Sequence, residues 1–267
     1  MRKNKLREML KEGKPTLGTR LISVWPGMVE IVGYTGIFDY VEFLGEFSAW
    51  DLHDLENFSR AVELFNMSSM IKVDQNCRAF IAQRALGSGI QNILFSDVRT
   101  AKEAKECVRI VRAETPKKGG INGAAKRRNV GYYLEAGSLP YVQAMDDAIV
   151  ALMIEKTEAV DNLEEILSVE GIDMVQFGPG DYSLSLGYPG QRSHPKVKEA
   201  EIKTIKTALK MGIRPRLEIG SIYYKLEDIR KYIDLGVCDF NFPDEGKIIY
   251  DWLKRNGDDF KKILSKI

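Results

Sequence analysis

Histidine is nearly absent from this chain. Its 267 residues include two, His53 and His194. His53 falls inside an amphipathic helical stretch, and His194 stands at a helix start before Pro195. Neither ends a strand, so Ser–His–Asp and Cys–His nucleophilic schemes lack their base. Cysteine is scarce too: Cys77, Cys107 and Cys238 lie far apart with no CxxC pair. That excludes a disulfide framework and a cysteine zinc site, and reads as reduced thiols in a cytoplasmic protein. Charge of one sign is lacking: Lys+Arg 39 against Asp+Glu 38 leaves +1, with no excess to draw nucleic acid or an anionic membrane. No apolar run approaches the roughly 18 residues of a membrane span. Met1–Arg7 opens basic with no apolar run behind it, so no signal peptide is expected. Gly119–Gly123 is glycine-rich but matches neither GxGxxG nor a Walker A loop, so no nucleotide site is expected.

What is present is a rhythm. Short apolar runs alternate with helical patterns. The strands read as Thr16–Ser23, Phe38–Leu44, Ser69–Val73, Ile90–Phe95, Ala148–Ile154, Met174–Phe177, Arg214–Glu218 and Cys238–Phe242. Helices are expected near residues 1–13, at Met28–Tyr34, Asp51–Phe65, Cys77–Leu86, Thr100–Val111, Val160–Ser168, His194–Met211, Tyr223–Leu235 and Gly246–Ile267. Ser183–Gln191 reads as a connecting loop. Strands alternating with helices build parallel sheets, and eight units without a linker predict one α/β domain over 1–267, a single (β/α)8 TIM barrel. The rhythm breaks at 114–146, which has five glycines and the basic run Lys126-Arg127-Arg128. So long a break reads as a functional loop or subdomain. The basic run could clamp an anion or line a subunit contact, although a solvated surface run is the commoner outcome.

Residues ending barrel strands face one mouth. Here those are Glu46, Lys72, Glu155, Asp181 and Arg216 with Glu218. Glu155 and Asp181 end neighbouring strands, and two acids brought together repel unless a cation joins them. Oxygen ligands suit a hard divalent ion, which would act as a Lewis acid on substrate oxygens. Lys72 supplies a point charge for a substrate carboxylate or a developing enolate. Gly178-Pro-Gly-Asp181 reads as a tight turn that lets backbone approach a ligand. Glu218 is expected to pair with Arg216 or Arg214.

The string Met153-Ile-Glu155-Lys-Thr-Glu-Ala159, Val169-Glu-Gly-Ile-Asp173, Phe177-Gly-Pro-Gly-Asp181-Tyr-Ser183, Leu186-Gly187 and His194-Pro195 resembles the HpcH/HpaI-type aldolases. These are the pyruvate-using class II aldolases of the phosphoenolpyruvate/pyruvate barrel superfamily. The resemblance runs from about Gly18 to Phe242. It implies a (β/α)8 barrel and a divalent metal (Mg, Mn or Co) held by Glu155 and Asp181. It also implies a small 2-oxoacid substrate bound with help from the backbone at Gly180 and Asp181. Homo-oligomers, hexamers or trimers, with the terminal helix at subunit contacts are implied as well.

The departures fall on proton transfer. The family's Asp-x-Glu-His after strand two is Leu44-Gly45-Glu46-Phe47 here, and neither Leu44 nor Phe47 can move a proton. The family's strand-three Arg is Lys72, the Gln before the metal Glu is Met153, and no Asp stands near Gly87. The proton step would fall to Glu46, Lys72, Tyr182 or a metal-bound water, with Lys72 and Tyr182 also touching substrate. Phe47 and Trp50 hint at an apolar acceptor pocket. The expectation is a metal-dependent, aldolase-like carbon–carbon lyase. The alternatives are another oxoacid reaction at the same site, such as hydrolysis or decarboxylation, or a binding barrel that has lost its base.

Overall fold

A computed structural model of the chain describes residues 1–220 and 225–267. Eight parallel strands close into a barrel in chain order: β1 Thr16–Leu21, β2 Tyr40–Phe43, β3 Ser68–Val73, β4 Asn92–Phe95, β5 Val150–Ile154, β6 Met174–Phe177, β7 Arg214–Glu218 and β8 Asp239–Asp244. β8 returns to pair with β1, shifting register between Gly18 and Arg20. The expected (β/α)8 architecture is the observed one. Every residue of β2 to β6 is buried, as a sheet covered on both faces requires.

The barrel interior is divided by chemistry. Tyr40, Met70, Leu94, Ala151, Met153 and Met174 fill one part with apolar side chains. Leu6, on the helix Lys5–Lys11, closes the lower end against them. The part formed by β7, β8, β1 and β2 is ionic. Glu42 and Arg216 pair there, and each side chain is 1% exposed. Burial pulls the Arg216 guanidinium down, but Glu42 and Tyr40 outweigh it and hold it above its ordinary value. Burial in turn pushes the Tyr40 hydroxyl up to about 12. Gly18 makes room for this packing, since a Cβ there would sit 2.3 Å from the Tyr40 ring.

Three expectations about local structure change. Gly178-Pro-Gly-Asp181 is not a tight turn, and Ser183–Gln191 is not wholly loop: Pro179–Ser185 is a helix with Pro at its first position. Proline's fixed φ starts a helix there at no cost in N–H bonds. Val160–Ser168 is covered by two short helices, Thr157–Asp161 and Leu163–Leu167, divided at Asn162 (φ −90°, ψ 13°). The 114–146 break holds a 3₁₀ turn, Arg128–Val130, and runs into a helix, Leu139–Asp147, capped by the Ser138 side chain. The expected helix start at Tyr223 lies outside the described residues, and the helix is described from Leu226 to Asp234.

Candidate active site

Glu155 follows the last residue of β5, and its side chain is buried. Its Oε1 accepts from the backbone N–H of Asp97 at 2.8 Å. Burial raises the Glu155 carboxyl above the usual carboxylate range. Lys72 and the Asp97 N–H oppose that rise, while Asp181 and Glu46 add to it. These charges therefore share one small region at the carboxyl ends of the strands. Gly178, following β6, keeps the space beside Glu155 open: a Cβ there would lie 2.7 Å from Glu155 Oε2.

Lys72 comes from the penultimate position of β3. Its Nζ lies 2.5 Å from Glu46 Oε2, and both residues are shielded from solvent. The loop after β2 fixes Glu46: its N–H donates to the Lys72 carbonyl at 3.2 Å, and Trp50 Nε1 donates to the Gly45 carbonyl at 2.8 Å. Phe47 lies over the pair, its ring centroid 4.7 Å from Lys72 Nζ. A cation against an aromatic face is held electrostatically, and the Phe47 ring has no group that can exchange a proton. Leu44 is buried.

Asp181 sits in the first turn of the helix Pro179–Ser185. Its carboxylate is half open to solvent, and Lys156 Nζ stands 3.5 Å from its Oδ1. Gly180, beside it, lies under the Arg192 guanidinium, whose Nη2 would be 3.3 Å from a Cβ at Gly180. The first-turn N–H groups of this helix have no intrahelical acceptor and point toward the mouth end.

Two expected site residues lie elsewhere. Tyr182 is in the core between the barrel and the helices, its ring 5.1 Å from that of Phe177. It follows Asp181 by one position on a helix, and about 100° of rotation turns it away from the face that Asp181 presents. Arg216 is a layer below the mouth, paired with Glu42 and donating to Gln176 Oε1 at 2.7 Å. Glu218 pairs with Arg20 at 2.6 Å, not with Arg216 or Arg214, and Arg214 pairs with Asp239. His53 is exposed on its helix, and the His194 ring stacks on Tyr188 at 3.9 Å.

Arg20, Asp97, Lys156 and Arg192 were not anticipated at this end of the barrel. Arg20 had a signal, since it alternates with Thr16 and Gly18 on the inward side of β1. Asp97 had no signal in the sequence; its φ of 54° lies in the left-handed region, where Asp is among the few non-glycine residues tolerated.

Among the described residues, no three His, Cys, Asp or Glu side chains gather as a metal cage. The donor set is two carboxylates, one desolvated and one open, beside a glycine that leaves room. That set fits a hard cation whose remaining ligands are water and substrate oxygens, the usual arrangement for magnesium.

A closed parallel barrel with acids and cations converging on its carboxyl-end mouth defines a barrel enzyme. The chain belongs to the HpcH/HpaI aldolase/citrate lyase family, whose model matches residues 26–237, and it is accordingly an aldolase/lyase-type enzyme. It is 32% identical over 209 residues to the 2-keto-3-deoxy-L-rhamnonate aldolase of Escherichia coli K12, covering 77% of this chain and 76% of that one. Its fold matches that of an HpcH/HpaI aldolase/citrate lyase family protein from Burkholderia cenocepacia J2315, with a TM-score of 0.86, 22% identity, and 97% and 100% of the two chains covered. A more distant barrel, CitE from Mycobacterium tuberculosis, was crystallised with magnesium and acetate; its TM-score is 0.56 at 11% identity, covering 90% of this chain and 88% of that one.

Proposed function

We propose that this enzyme cleaves a carbon–carbon bond in a small 2-oxo hydroxy acid, releasing a pyruvate-type 2-oxoacid, with Glu155 and Asp181 holding a divalent cation (Mg, Mn or Co). The observation that carries the reading is the desolvated Glu155 carboxylate within electrostatic reach of the Lys72–Glu46 pair. Burial disfavours the Glu155 carboxylate, and a bound cation would offset that cost, while the nearby Lys72 suits a substrate anion. When bound, the cation supplies Lewis acidity to the keto and carboxylate oxygens of the substrate.

The chain's own residues supply the rest. Lys72 Nζ faces the oxygen on which enolate charge develops, a term worth several kcal/mol in a water-poor site. Glu46 takes the proton of the substrate hydroxyl as the bond beside it breaks, and the electron pair of that bond becomes the enolate. Leu44 and Phe47 leave Glu46 as the base nearest Lys72. The first-turn backbone at Gly180 and Asp181 positions the 2-oxoacid. Tyr182, buried against Phe177, takes no part.

The test is exchange of pyruvate methyl protons for deuterium in D2O with each metal in turn. Metal-dependent exchange that is lost in Glu155→Ala supports enolate chemistry. Exchange that survives Glu155→Ala, or fails with every metal, removes the reading.

We further propose a homo-oligomer, hexamer or trimer, assembled through the terminal helix Glu245–Leu264. That 20-residue helix has no buried residue, and it presents Ile249, Tyr250, Trp252, Leu253 and Phe260 to solvent. An apolar face of this kind on an isolated chain marks a contact surface. With three unpaired cysteines, cytoplasmic residence is the setting we assign. Among the described residues no helix is long and apolar enough to cross a membrane.

A further inference from the structure

The basic run Lys126-Arg127-Arg128 closes over a groove of about 210 Å³ on the outer face of the barrel. The groove is also lined by Arg84, Gly87 and Tyr132. Its arginines differ in kind. Arg128 is structural: it donates to the Ser88 carbonyl at 2.9 Å and forks onto both carboxylate oxygens of Glu63. The one acid lining the groove, Glu56, is taken by Arg60 at 2.8 Å. Arg84, Lys126 and Arg127 have no carboxylate within ion-pair distance among the described residues. Arg84 lies on the Phe80 ring and Lys126 on the Tyr133 ring, at 5.1 and 5.0 Å. Arg127 is half-buried, anchored by one bond from Nη1 to the Gln83 carbonyl at 2.8 Å. Burial and then the Arg84 charge both lower its pKa, so the two guanidinium groups repel.

Gly87 seats this arrangement. A Cβ at Gly87 would lie 2.4 Å from Arg127 Cδ, so the Arg127 stem lies flush on the helix Arg78–Ser88 only because that position has no side chain. Tyr132 holds φ 59°, an uncommon conformation for an aromatic residue, and lines the same groove. Three cations line one groove, none of them in an ion pair among the described residues, and its one lining acid, Glu56, is held by Arg60; with two guanidinium forks among them they make a receptor for a compact multivalent anion. The groove is small, about 210 Å³, and the chain's net charge of +1 gives it no extended basic track for nucleic acid.

We propose that Arg84, Lys126 and Arg127 form an anion site for phosphate or a phosphate monoester, separate from the catalytic mouth and independent of the reaction assigned there. Phosphate, either free or on a small metabolite, shares the chemistry the groove recognises.

The test is calorimetric titration of the full chain with inorganic phosphate, and separately with glycerol 3-phosphate, at ionic strength fixed with chloride. Saturable binding is expected for the wild type and for Lys72→Met, which removes the cation at the mouth. Arg84→Ala and Arg127→Met should each weaken it at least tenfold. Gly87→Ala, which alters no charge, should weaken it by displacing the Arg127 stem while the melting temperature holds or rises. Tighter binding of the monoester would assign the site to a phosphorylated metabolite, and equal binding to phosphate itself. Three results overturn the proposal: no saturable binding by the wild type, variants that bind as tightly as the wild type, or loss of binding in Lys72→Met alone. A change in the oligomer mass of Arg84→Ala by light scattering would instead assign the groove to a contact with a second copy and equally overturn it.

Discussion

The Asp97 backbone N–H donates to Glu155 Oε1 at 2.8 Å while Asp97 itself holds a φ of 54°. A left-handed residue after β4 thus aims a donor at the buried acid after β5. The bond favours the ionised carboxylate, yet burial still dominates and raises its pKa. An acid whose pKa rises on folding binds its proton more tightly in the native state. Metal-free protein therefore carries a penalty above the raised pKa, and the penalty disappears below the unfolded value of about 4.3.

The first prediction follows from that sign. Metal-free Glu155→Gln should melt above wild type at pH 7 to 8, and the two should converge toward pH 4. Divalent metal reverses the order, because only the wild type is stabilised, by about 2.7 kcal/mol at a hundredfold excess over Kd. Melting curves across pH with and without metal check both parts. If metal stabilises Glu155→Gln as much as wild type, Glu155 is not a ligand.

A second prediction concerns the glycine beside that acid. Gly178 has φ −103°, so alanine adds no backbone strain, but its Cβ would meet both Cβ and Oε2 of Glu155 at 2.7 Å. Glu155 has to shift. We expect Gly178→Ala to cost about 1–3 kcal/mol of stability and to weaken metal binding by an order of magnitude. Metal affinity equal to wild type would show that the space beside Oε2 is not used.

Strands β2 to β6 were legible because each is a short, largely apolar run, while the polar β7 and β8 were legible from the strand–helix rhythm, and eight such units leave few topologies. Glu46, Lys72, Glu155 and Asp181 were expected at the mouth because each stands at a strand end or within four residues after one. Depth inside the barrel was not. Arg214, Arg216 and Glu218 share one parity along β7, but which of them reaches the mouth depends on stagger between strands, which no single run contains. Thus Arg216 meets Glu42 below the mouth, and Arg20, on a different strand, reaches Glu218. Tyr182 was misplaced because Gly178-Pro179 was read as a turn, where successive residues can share a face, and it begins a helix, where they cannot.

The Arg216–Glu42 pair carries a third prediction. Both groups are fully buried, so removing one charge leaves the other stranded. Glu42→Gln should destabilise by about 3–5 kcal/mol, whereas Glu42→Met with Arg216→Met should recover most of the loss. Denaturant unfolding of the three chains measures this. A single variant no weaker than the double would mean the pair contributes only packing.

The terminal helix gives a fourth. Trp252 and Leu253 are more than half exposed. Replacing both with Glu should lower the assembly mass in light scattering while the far-ultraviolet circular dichroism stays unchanged. An unaltered mass would place the oligomer contact elsewhere.

The last prediction concerns the proton. Glu46→Gln keeps the shape of the side chain beside Lys72 but cannot accept the hydroxyl proton, and turnover should fall by about 10²–10⁴ with a small change in KM. Phe47 lies over the same ammonium, 4.7 Å away, at the position where the family resemblance read from the sequence leads one to expect histidine. Phe47→His placed in the Glu46→Gln background should therefore restore part of the rate, and the restored rate should rise with pH through about 6.5, the ordinary imidazole value. Wild type should show no such imidazole-dependent limb, because the base we propose for it, Glu46, is a carboxylate. Should Glu46→Gln retain full turnover, the proton leaves by another route and Glu46 serves only to hold Lys72.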